Sequence, residues 1–225
     1  MKILLIADIH GNYEALKTVL KRERWDEILC MGDLVDYGPS PDKVIETIRT
    51  RADIVVRGNH DNAAAFGVDC GCGYEMKALS EETRKYTVEV ISERSRSYLS
   101  KLPTSVEDGD RYLTHAAPGD LYKYIKPETP ESEFDVFKEI DEGLILLGHT
   151  HIPMDREIGN KRYINPGSLG QPRDGDWRTS YAFLEGGELY FERVDYDVDK
   201  VIEKMKKVGL PERAQRILKE GKIVG

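Results

Sequence analysis

The feature that most constrains the fold of this sequence is a set of five short apolar runs. Each run is followed by polar side chains of the kinds that bind metals. The runs cover residues 3–6, 28–31, 53–56, 111–114 and 144–147. Because side chains at the carboxyl ends of strands project into the crevice of an α/β sheet, we expect the polar groups to converge there. They include all five histidines of the chain. In order they are Asp8 and His10, Gly32-Asp33, Gly58-Asn59-His60-Asp61, His115, and Gly148-His149-Thr150-His151.

The order of strand and helix signals predicts an α/β fold. Asn12 can cap a first helix, and Ser40-Pro41 can start a second. The resulting alternation of strands and helices favours right-handed crossovers and a largely parallel sheet. In the second half of the chain, Gly159-Asn160 and Gly186-Gly187 are typical of hairpin turns.

We expect residues 1–225 to form a single domain, because no linker, repeat or low-complexity tract divides them. Residues 62–102 have a polar helical pattern. They form either a small cap beside the crevice or a helical hairpin packed on the sheet. Residues 197–225 are predicted to form C-terminal helices. The apolar fraction of 40% argues against disorder.

Charge and hydropathy exclude several classes of partner. The net charge of −8 argues against binding of an extended nucleic acid, which requires many basic contacts to phosphate. No segment has membrane-spanning length, and the apolar run at the N-terminus is too short for a signal peptide. We therefore expect a cytoplasmic protein without a membrane partner. The oligomeric state stays open.

The three cysteines carry a weaker signal. Cys30 ends an apolar run and is expected to be a buried thiol. Cys70 and Cys72 form a C-x-C pair, which suits a redox or zinc pair but lacks a strong spacing signature. Two reduced thiols in a loop are the favoured interpretation.

The ligand types indicate more than one metal ion. Seven candidate ligands exceed the four that a closed structural zinc site needs. They fit two ions that share a carboxylate, and two ions about 3.5–4 Å apart can clamp an in-line displacement at phosphorus. Mixed nitrogen and oxygen ligands suit Mn, Fe, Zn, Co or Ni, and we favour Mn. The seven candidates are Asp8, His10, Asp33, Asn59, His115, His149 and His151.

In this order the motifs resemble those of the calcineurin-like metallophosphoesterase superfamily. The resemblance extends over about residues 2–184. Residues 32–39 (GDLVDYGP) and 165–168 (NPGS) are similar to the small prokaryotic branch, which is phosphodiesterase-like or related to diadenosine tetraphosphatases. The resemblance implies a four-layer α/β/β/α sandwich of two mixed β-sheets, to which the segment 62–102 would add a small helical cap.

The resemblance also implies roles for individual residues. One metal ion would be held by Asp8, His10, Asp33 and His151. A second would be held by Asp33, Asn59, His115 and His149, so that Asp33 bridges the two.

Other residues are expected to act on the substrate. His60 matches the family's catalytic histidine, which stabilises negative charge or protonates the leaving oxygen. Asp61 could orient that ring, or it could be a solvent-facing turn residue. Asn59 and, with weaker support, Arg57 and Arg173 are candidates to bind the phosphate of the substrate.

These observations favour a dinuclear metal-dependent phosphoesterase. It would hydrolyse a small phosphodiester or phosphomonoester by direct attack of metal-bound hydroxide. A scaffold that binds a partner protein is one alternative. A scaffold would not need the metal ligands and the catalytic histidine, and this chain retains both. A nuclease would need a basic track that the chain lacks. A phosphoprotein phosphatase is disfavoured because Tyr37 stands where Gly-Asp-x-x-Asp-Arg-Gly has arginine.

Overall fold

The computed structural model describes residues 1–22 and 24–224, which form two five-stranded β-sheets packed face to face. The strands are β1 (Lys2–Ile6), β2 (Glu27–Cys30), β3 (Ile54–Val55), β4 (Ser105–Asp108), β5 (Arg111–Thr114), β6 (Leu144–Leu146), β7 (Pro153–Ile158), β8 (Lys161–Pro166), β9 (Thr179–Glu185) and β10 (Glu188–Val194). The α-helices are α1 (Tyr13–Arg22), α2 (Pro41–Arg51), α3 (Asn59–Phe66), α4 (Tyr74–Val90), α5 (Glu93–Lys101), α6 (Val198–Lys207) and α7 (Glu212–Glu220), and Glu131–Phe137 form a 3₁₀ helix.

Both sheets are mixed, which confirms the predicted α/β fold with two mixed sheets. The first sheet has the order β10-β9-β1-β2-β3, and the alternating pattern correctly predicted its parallel part, β1-β2-β3. The β9–β10 hairpin adds antiparallel pairing to that sheet. The second sheet has the order β4-β5-β6-β8-β7, in which β5, β6 and β8 are parallel and the two edge strands are antiparallel.

Strand β1 shows how the layers are held together. Successive side chains of a strand point to opposite faces. Leu5 packs between the two sheets, against residues such as Leu113 and Leu146, while Leu4 and Ile6 pack under the helices. These side chains of β1 have no exposed surface. The continuous apolar run at residues 3–6 therefore reflects burial on both faces.

The helices on the first sheet begin where the sequence predicts. The Asn12 side chain accepts a hydrogen bond from the backbone N–H of Ala15 at 3.2 Å, which caps α1. Pro41 opens α2. On the outer face of the second sheet, the covering layer is the 3₁₀ helix with flanking loops. Phe134 and Phe137 pack there with ring centroids 4.7 and 5.3 Å from that of Tyr163.

Residues 62–102 contain most of α3 and all of α4 and α5. Helix α5 is tied to α2, because Asp42 accepts hydrogen bonds from the Ser92 backbone N–H and the Ser95 hydroxyl at 2.9 and 2.5 Å. Helix α4 instead reaches the strand ends through Arg84. The segment thus packs beside the first sheet and also borders the crevice.

The C-terminal helices α6 and α7 pack against the same apolar cluster as α1, through residues such as Val201, Met205 and Ile217. Of the predicted helical range 197–225, only Gly225 lies outside the described residues. Within residues 1–22 and 24–224, no helix is both long and apolar enough to cross a membrane.

Candidate metal centre

The seven predicted metal ligands meet at the carboxyl ends of strands from both sheets. Each of them is at most 4% exposed, so the site is a buried polar cluster at the top of the sandwich. In chain order they are Asp8 and His10 after β1, Asp33 after β2, Asn59 after β3, His115 after β5, and His149 and His151 after β6.

The backbone is strained where these ligands lie. Apart from glycines, seven of the described residues have positive φ values, between 46° and 70°. Such a conformation costs about 1–3 kcal/mol per residue and persists only where the surrounding structure enforces it, commonly at functional sites. Five of the seven are predicted metal ligands. The set is Asp8, His10, Asp33, Asp36, Tyr37, His149 and His151.

Each of the four predicted histidine ligands has one ring nitrogen beside a backbone carbonyl oxygen. Nδ1 of His10, His115 and His151 donates to the carbonyls of Val35, Met31 and Gln171 at 2.7, 2.6 and 2.6 Å. In His149 the ring nitrogen beside a backbone carbonyl is Nε2, which lies 3.3 Å from the carbonyl oxygen of Tyr122. A hydrogen bond of this kind fixes the tautomer and leaves the other nitrogen with a free lone pair for a metal.

The free nitrogens of His10 and His151 point into the first predicted ion site. Their Nε2 atoms lie 3.1 Å apart. Nε2 of His151 is 3.3 Å from Oδ1 of Asp8, and Nε2 of His10 is 3.7 Å from Oδ2 of Asp33.

The second predicted ion site is built around Asn59. Its Oδ1 lies 3.0 Å from Nε2 of His115 and 3.1 Å from Nδ1 of His149. The amide is held in this orientation because its Nδ2 donates to the carbonyl of Cys70 at 2.7 Å. Oδ2 of Asp33 is 3.3 Å from Nε2 of His115, so Asp33 faces both groups of ligands.

These groups fit divalent transition-metal ions. Two ligands bound to one ion at about 2.1 Å and at an angle of about 90–110° lie about 3.0–3.4 Å apart, close to most of the separations found here. Lone pairs of nitrogen and oxygen face each other in both groups, and they repel unless a proton or a cation lies between them. Imidazole, carboxylate and amide oxygen together suit Mn, Fe, Co, Ni or Zn.

Burial controls the protonation of these groups. It raises the pKa of Asp8 to about 8, and the carboxylate of Asp33 acts in the same direction. Burial also lowers the pKa of His10 and of His149 to about 3, which keeps both imidazoles in the neutral form that binds metals. Burial would raise the pKa of Asp33, but the charge of His115 holds that pKa well below its usual range. The reciprocal effect raises the pKa of His115 to about 9.

His60 lies beside the ligands but is oriented differently. Its Nδ1 is 2.7 Å from Oδ2 of Asp36, so a carboxylate and not a backbone carbonyl holds the ring. Arg84 of α4 donates to the same Asp36 oxygen from Nε and Nη2 at 2.9 and 2.7 Å. Burial would raise the pKa of Asp36, but the hydrogen bond with His60 and the charge of Arg84 lower it. His60 and Asp36 therefore form a buried pair, and Nε2 is the ring nitrogen of His60 that Asp36 does not bind.

Asp61 does not make the contact with His60 that the sequence suggested. Its carboxylate instead accepts hydrogen bonds from the backbone N–H groups of Asp33, Leu34 and Gly58 at 2.8–3.0 Å. Consecutive side chains of a helix point about 100° apart, so the side chain after His60 is directed elsewhere. Asp61 is also fully buried, which contradicts the alternative of a solvent-facing turn residue. It joins the turn after β2 to the start of α3.

The family of the chain follows from a comparison with known proteins. Residues 1–188 match the family model of the calcineurin-like phosphoesterase superfamily domain. The chain belongs to that superfamily. The match covers the strand ends that carry all seven predicted ligands, and it confirms the resemblance of the motifs.

Individual relatives agree with this membership. The uncharacterized protein MJ0912 of Methanocaldococcus jannaschii is 35% identical over 247 aligned residues, which cover 93% of this chain and 94% of that protein. Phosphodiesterase YfcE of Escherichia coli is 26% identical over 84% of this chain and 90% of its own length. A crystal structure of a metallophosphoesterase from Sphaerobacter thermophilus superimposes with a TM-score of 0.87. It is 32% identical and covers 98% of this chain and 99% of its own.

The two arginines singled out from the sequence have different positions in this superfamily member. Arg57 donates to the carbonyl of Ser100 at 3.0 Å and stacks on the ring of Phe66, away from the ligand atoms. The contacts found for Arg57 are thus with helices α3 and α5 and not with the predicted metal ligands. Arg173 lies beside His151, and its guanidinium carbon is 5.7 Å from the centre of the Tyr37 ring.

The Asn165-Pro166-Gly167-Ser168 turn supports the site from behind, which agrees with its interpretation as a structural turn. The Asn165 amide donates to the carbonyl of Gly148 at 2.6 Å. The Ser168 hydroxyl donates to the carbonyl of Asp8 at 2.7 Å. Both bonds hold the backbone next to metal ligands.

Three features of the site were missed or wrongly predicted from the sequence. Asp36 lies within the 32–39 motif, and that motif could have indicated a role for it at the site. No sequence motif pointed to Arg84. The expectation of two reduced loop thiols is also corrected, because Cys70 and Cys72 are joined as a disulfide. Gly71 between them has a φ of 63°, and the turn brings the two Cα atoms to 5.4 Å, within the range that a disulfide spans.

Proposed function

We propose that this protein is a hydrolase of phosphate esters that depends on two divalent transition-metal ions, with Mn favoured. One observation carries the proposal. Four buried histidines each present one nitrogen to the same cluster of Asp8, Asp33 and Asn59, while the other ring nitrogen faces a backbone carbonyl. This arrangement suits metal binding, and membership of the phosphoesterase superfamily supports phosphorus as the site of reaction.

The ligand set divides between two ions around Asp33. Asp8, His10, Asp33 and His151 would hold one ion, and Asp33, Asn59, His115 and His149 the other. Two ions so held would supply a nucleophile from water at neutral pH and would stabilise charge on the phosphoryl oxygens. The role of the protein is to fix the positions of these ligands before the substrate binds.

His60 would act on the leaving group. Its Nδ1 proton is held by Asp36, so a second proton on Nε2 can be donated to the oxygen that leaves phosphorus. The positive charge of the doubly protonated ring would also stabilise negative charge in the transition state. Arg84 fixes the carboxylate of Asp36 through two donors and thereby positions His60 indirectly.

Arg173 is the favoured phosphate-binding side chain. Its Nε is buried and has no hydrogen-bond partner among the described residues, and its Nη2 donates to Gln171 at 2.9 Å. A cavity of about 470 Å³ lies beside it and is also lined by Tyr124 and Lys126. A cavity of this size accommodates a small phosphorylated molecule. We therefore propose a small phosphodiester or phosphomonoester as substrate, without an extended nucleic acid.

The proposal can be tested by loading the metal-free protein with Mn²⁺ and measuring metal content and hydrolysis together. The substrates would be phosphomonoesters, cyclic nucleotides, dinucleoside polyphosphates and phosphopeptides. We expect two ions per chain and turnover of at least one small ester. Asp33→Asn should lower both metal content and turnover, whereas Asp199→Asn, at a side chain that is 83% exposed, should change neither.

Two results would contradict the proposal. Retention of two ions and full activity by Asp33→Asn would exclude Asp33 as the shared ligand. Metal binding by the protein with Cys70 and Cys72 reduced, without hydrolysis of any substrate class, would contradict the enzyme and favour the scaffold alternative.

A further inference from the structure

The disulfide between Cys70 and Cys72 lies against the group proposed to protonate the leaving oxygen. Sγ of Cys72 is 3.2 Å from Nε2 of His60. Nδ1 of the same ring is occupied by Asp36, so Nε2 is the nitrogen that remains to meet a substrate. The sulfur therefore lies where a leaving oxygen would have to approach.

The same loop also contacts a predicted metal ligand. The carbonyl of Cys70 accepts the hydrogen bond from the Asn59 amide that directs Oδ1 of Asn59 toward His115 and His149. Gly71 packs against the ring of Tyr122, where a Cβ atom would overlap that ring. The position of this three-residue loop is thus linked to His60 and to Asn59.

We propose that Cys70 and Cys72 form a reversible thiol–disulfide site that controls access to His60. This inference rests on the proposed hydrolase function for its effect on activity. In the disulfide form, the loop is held with Cys72 on Nε2 of His60. In the dithiol form, the Cys72 side chain can rotate away, and Nε2 becomes accessible to the substrate.

The chemistry is thiol–disulfide exchange with a low-molecular-weight thiol or dithiol. A thiolate of the reductant attacks Sγ of Cys72, and the sulfur of Cys70 leaves as a thiolate and takes up a proton. A second thiol then attacks the mixed disulfide and releases Cys72. In total one S–S bond of the protein is broken and two S–H bonds form. The reductant gives up two electrons and becomes a disulfide.

The surroundings of the two sulfurs suit this order of attack. Cys72 is partly exposed, whereas Cys70 is buried, so an external thiol reaches Cys72 first. The hydroxyl of Ser80 lies 3.0 Å from Sγ of Cys70 and can donate to the departing thiolate. In a reducing compartment, a disulfide of this kind is typically transient and involved in redox sensing or catalysis.

The test compares the protein after treatment with diamide, an oxidant of thiols, and after treatment with dithiothreitol. Each form is desalted before Mn²⁺ is added, and alkylation with mass spectrometry measures the state of the two cysteines. We expect the dithiol form to hydrolyse an ester with a poor leaving group, such as a phenyl phosphodiester, about ten- to a hundredfold faster. A p-nitrophenyl ester, whose leaving group needs little protonation, should respond less.

Two variants control for other effects of these reagents. The double variant Cys70→Ser/Cys72→Ser should show the same rate after both treatments. Cys30→Ala removes the buried third cysteine and should keep the full response.

A second measurement does not depend on activity. In the metal-free protein, the ring signals of the five histidines can be followed by NMR, and His60→Gln identifies those of His60. Reduction should shift the His60 signals in the native protein and leave them unchanged in the double variant.

Unchanged His60 signals and equal rates for two forms with verified disulfide and dithiol states would overturn the inference. Failure of alkylation to detect any Cys70–Cys72 disulfide after diamide would do the same. A clear His60 shift without hydrolysis in either form would contradict the proposed function and leave the redox contact in place.

Discussion

The pair formed by Asp36 and His60 leads to a quantitative expectation for the substitution Asp36→Asn. The carboxylate of Asp36 accepts the hydrogen bond from Nδ1 of His60 at 2.7 Å, and its negative charge lies beside the ring that is proposed to act on the leaving group. An amide oxygen can still accept from Nδ1, but it no longer stabilises the charged ring. The remaining neutral tautomer has no proton on Nε2 to donate.

The size of the effect follows from the hydrogen bond that is lost. A hydrogen bond to a charged group contributes about 1.5–3 kcal/mol. Each 1.36 kcal/mol corresponds to about a tenfold change in rate, so Asp36→Asn should lower kcat about ten- to a hundredfold. His60→Gln should lower kcat further, by about a hundred- to ten-thousandfold. Both losses should be larger for a phenyl ester than for a p-nitrophenyl ester.

The assay measures kcat with the two esters, and metal content and thermal unfolding are recorded for each variant. Glu27→Gln is a control, because Glu27 is also a carboxylate paired with an arginine, but it is partly exposed and lies at the opposite end of β2. Asp36→Asn also leaves Arg84 without its counter-charge, and adding Arg84→Met removes that unpaired charge. If Asp36→Asn is folded and metal-loaded yet keeps kcat within about twofold for both esters, the role derived for the pair is refuted.

Three further predictions concern the core, the turns and the metal affinity. Leu5→Ala should lower the free energy of unfolding by about 2–5 kcal/mol in urea titrations, because Leu5 is completely buried between the sheets. Gly58→Ala should lower metal content measured by elemental analysis, since its Cβ would overlap the Asp33 carboxylate. Burial raises the pKa of Asp8 to about 8, and the charge of Asp33 raises the pKa of His115 to about 9, so both groups are protonated at lower pH. Metal affinity in calorimetric titrations should therefore increase from pH 6 to pH 8, with release of protons from both groups.

The convergence of the seven candidate ligands could be predicted from the sequence, because each follows an apolar run and the ends of parallel strands meet at one edge of a sheet. This holds for Asp33 after β2 and for His115 after β5. The same rule does not say which nitrogen of a ring faces the site. That choice depends on a backbone carbonyl, such as that of Val35 for His10.

The partners of His60 could not be predicted in this way. Asp61 is its neighbour in the sequence, but the start of α3 turns the Asp61 side chain toward the turn after β2. Asp36 has a φ of 65°, a conformation that the sequence pattern did not predict. Arg84 comes from α4, 48 positions away from Asp36 along the chain, so only the packing of α4 brings the two together.

The packing of the turns after β2 and β3 explains why glycine precedes the predicted ligands in Gly32-Asp33 and Gly58-Asn59. Gly32 has a φ of 86°, and a Cβ atom built on it would lie 2.6 Å from the backbone nitrogen of Gly58. A Cβ on Gly58 would in turn overlap the carboxylate of Asp33. The turns after β2 and β3 thus touch through backbone atoms, and this close approach leaves Oδ1 of Asp33 to accept the backbone N–H of His60 at 2.9 Å. Oδ2 of Asp33 is then left to face the histidines of both ion sites. In these two turns the motif glycines therefore act by bringing the backbones together, and the shared position of Asp33 is a consequence of that contact.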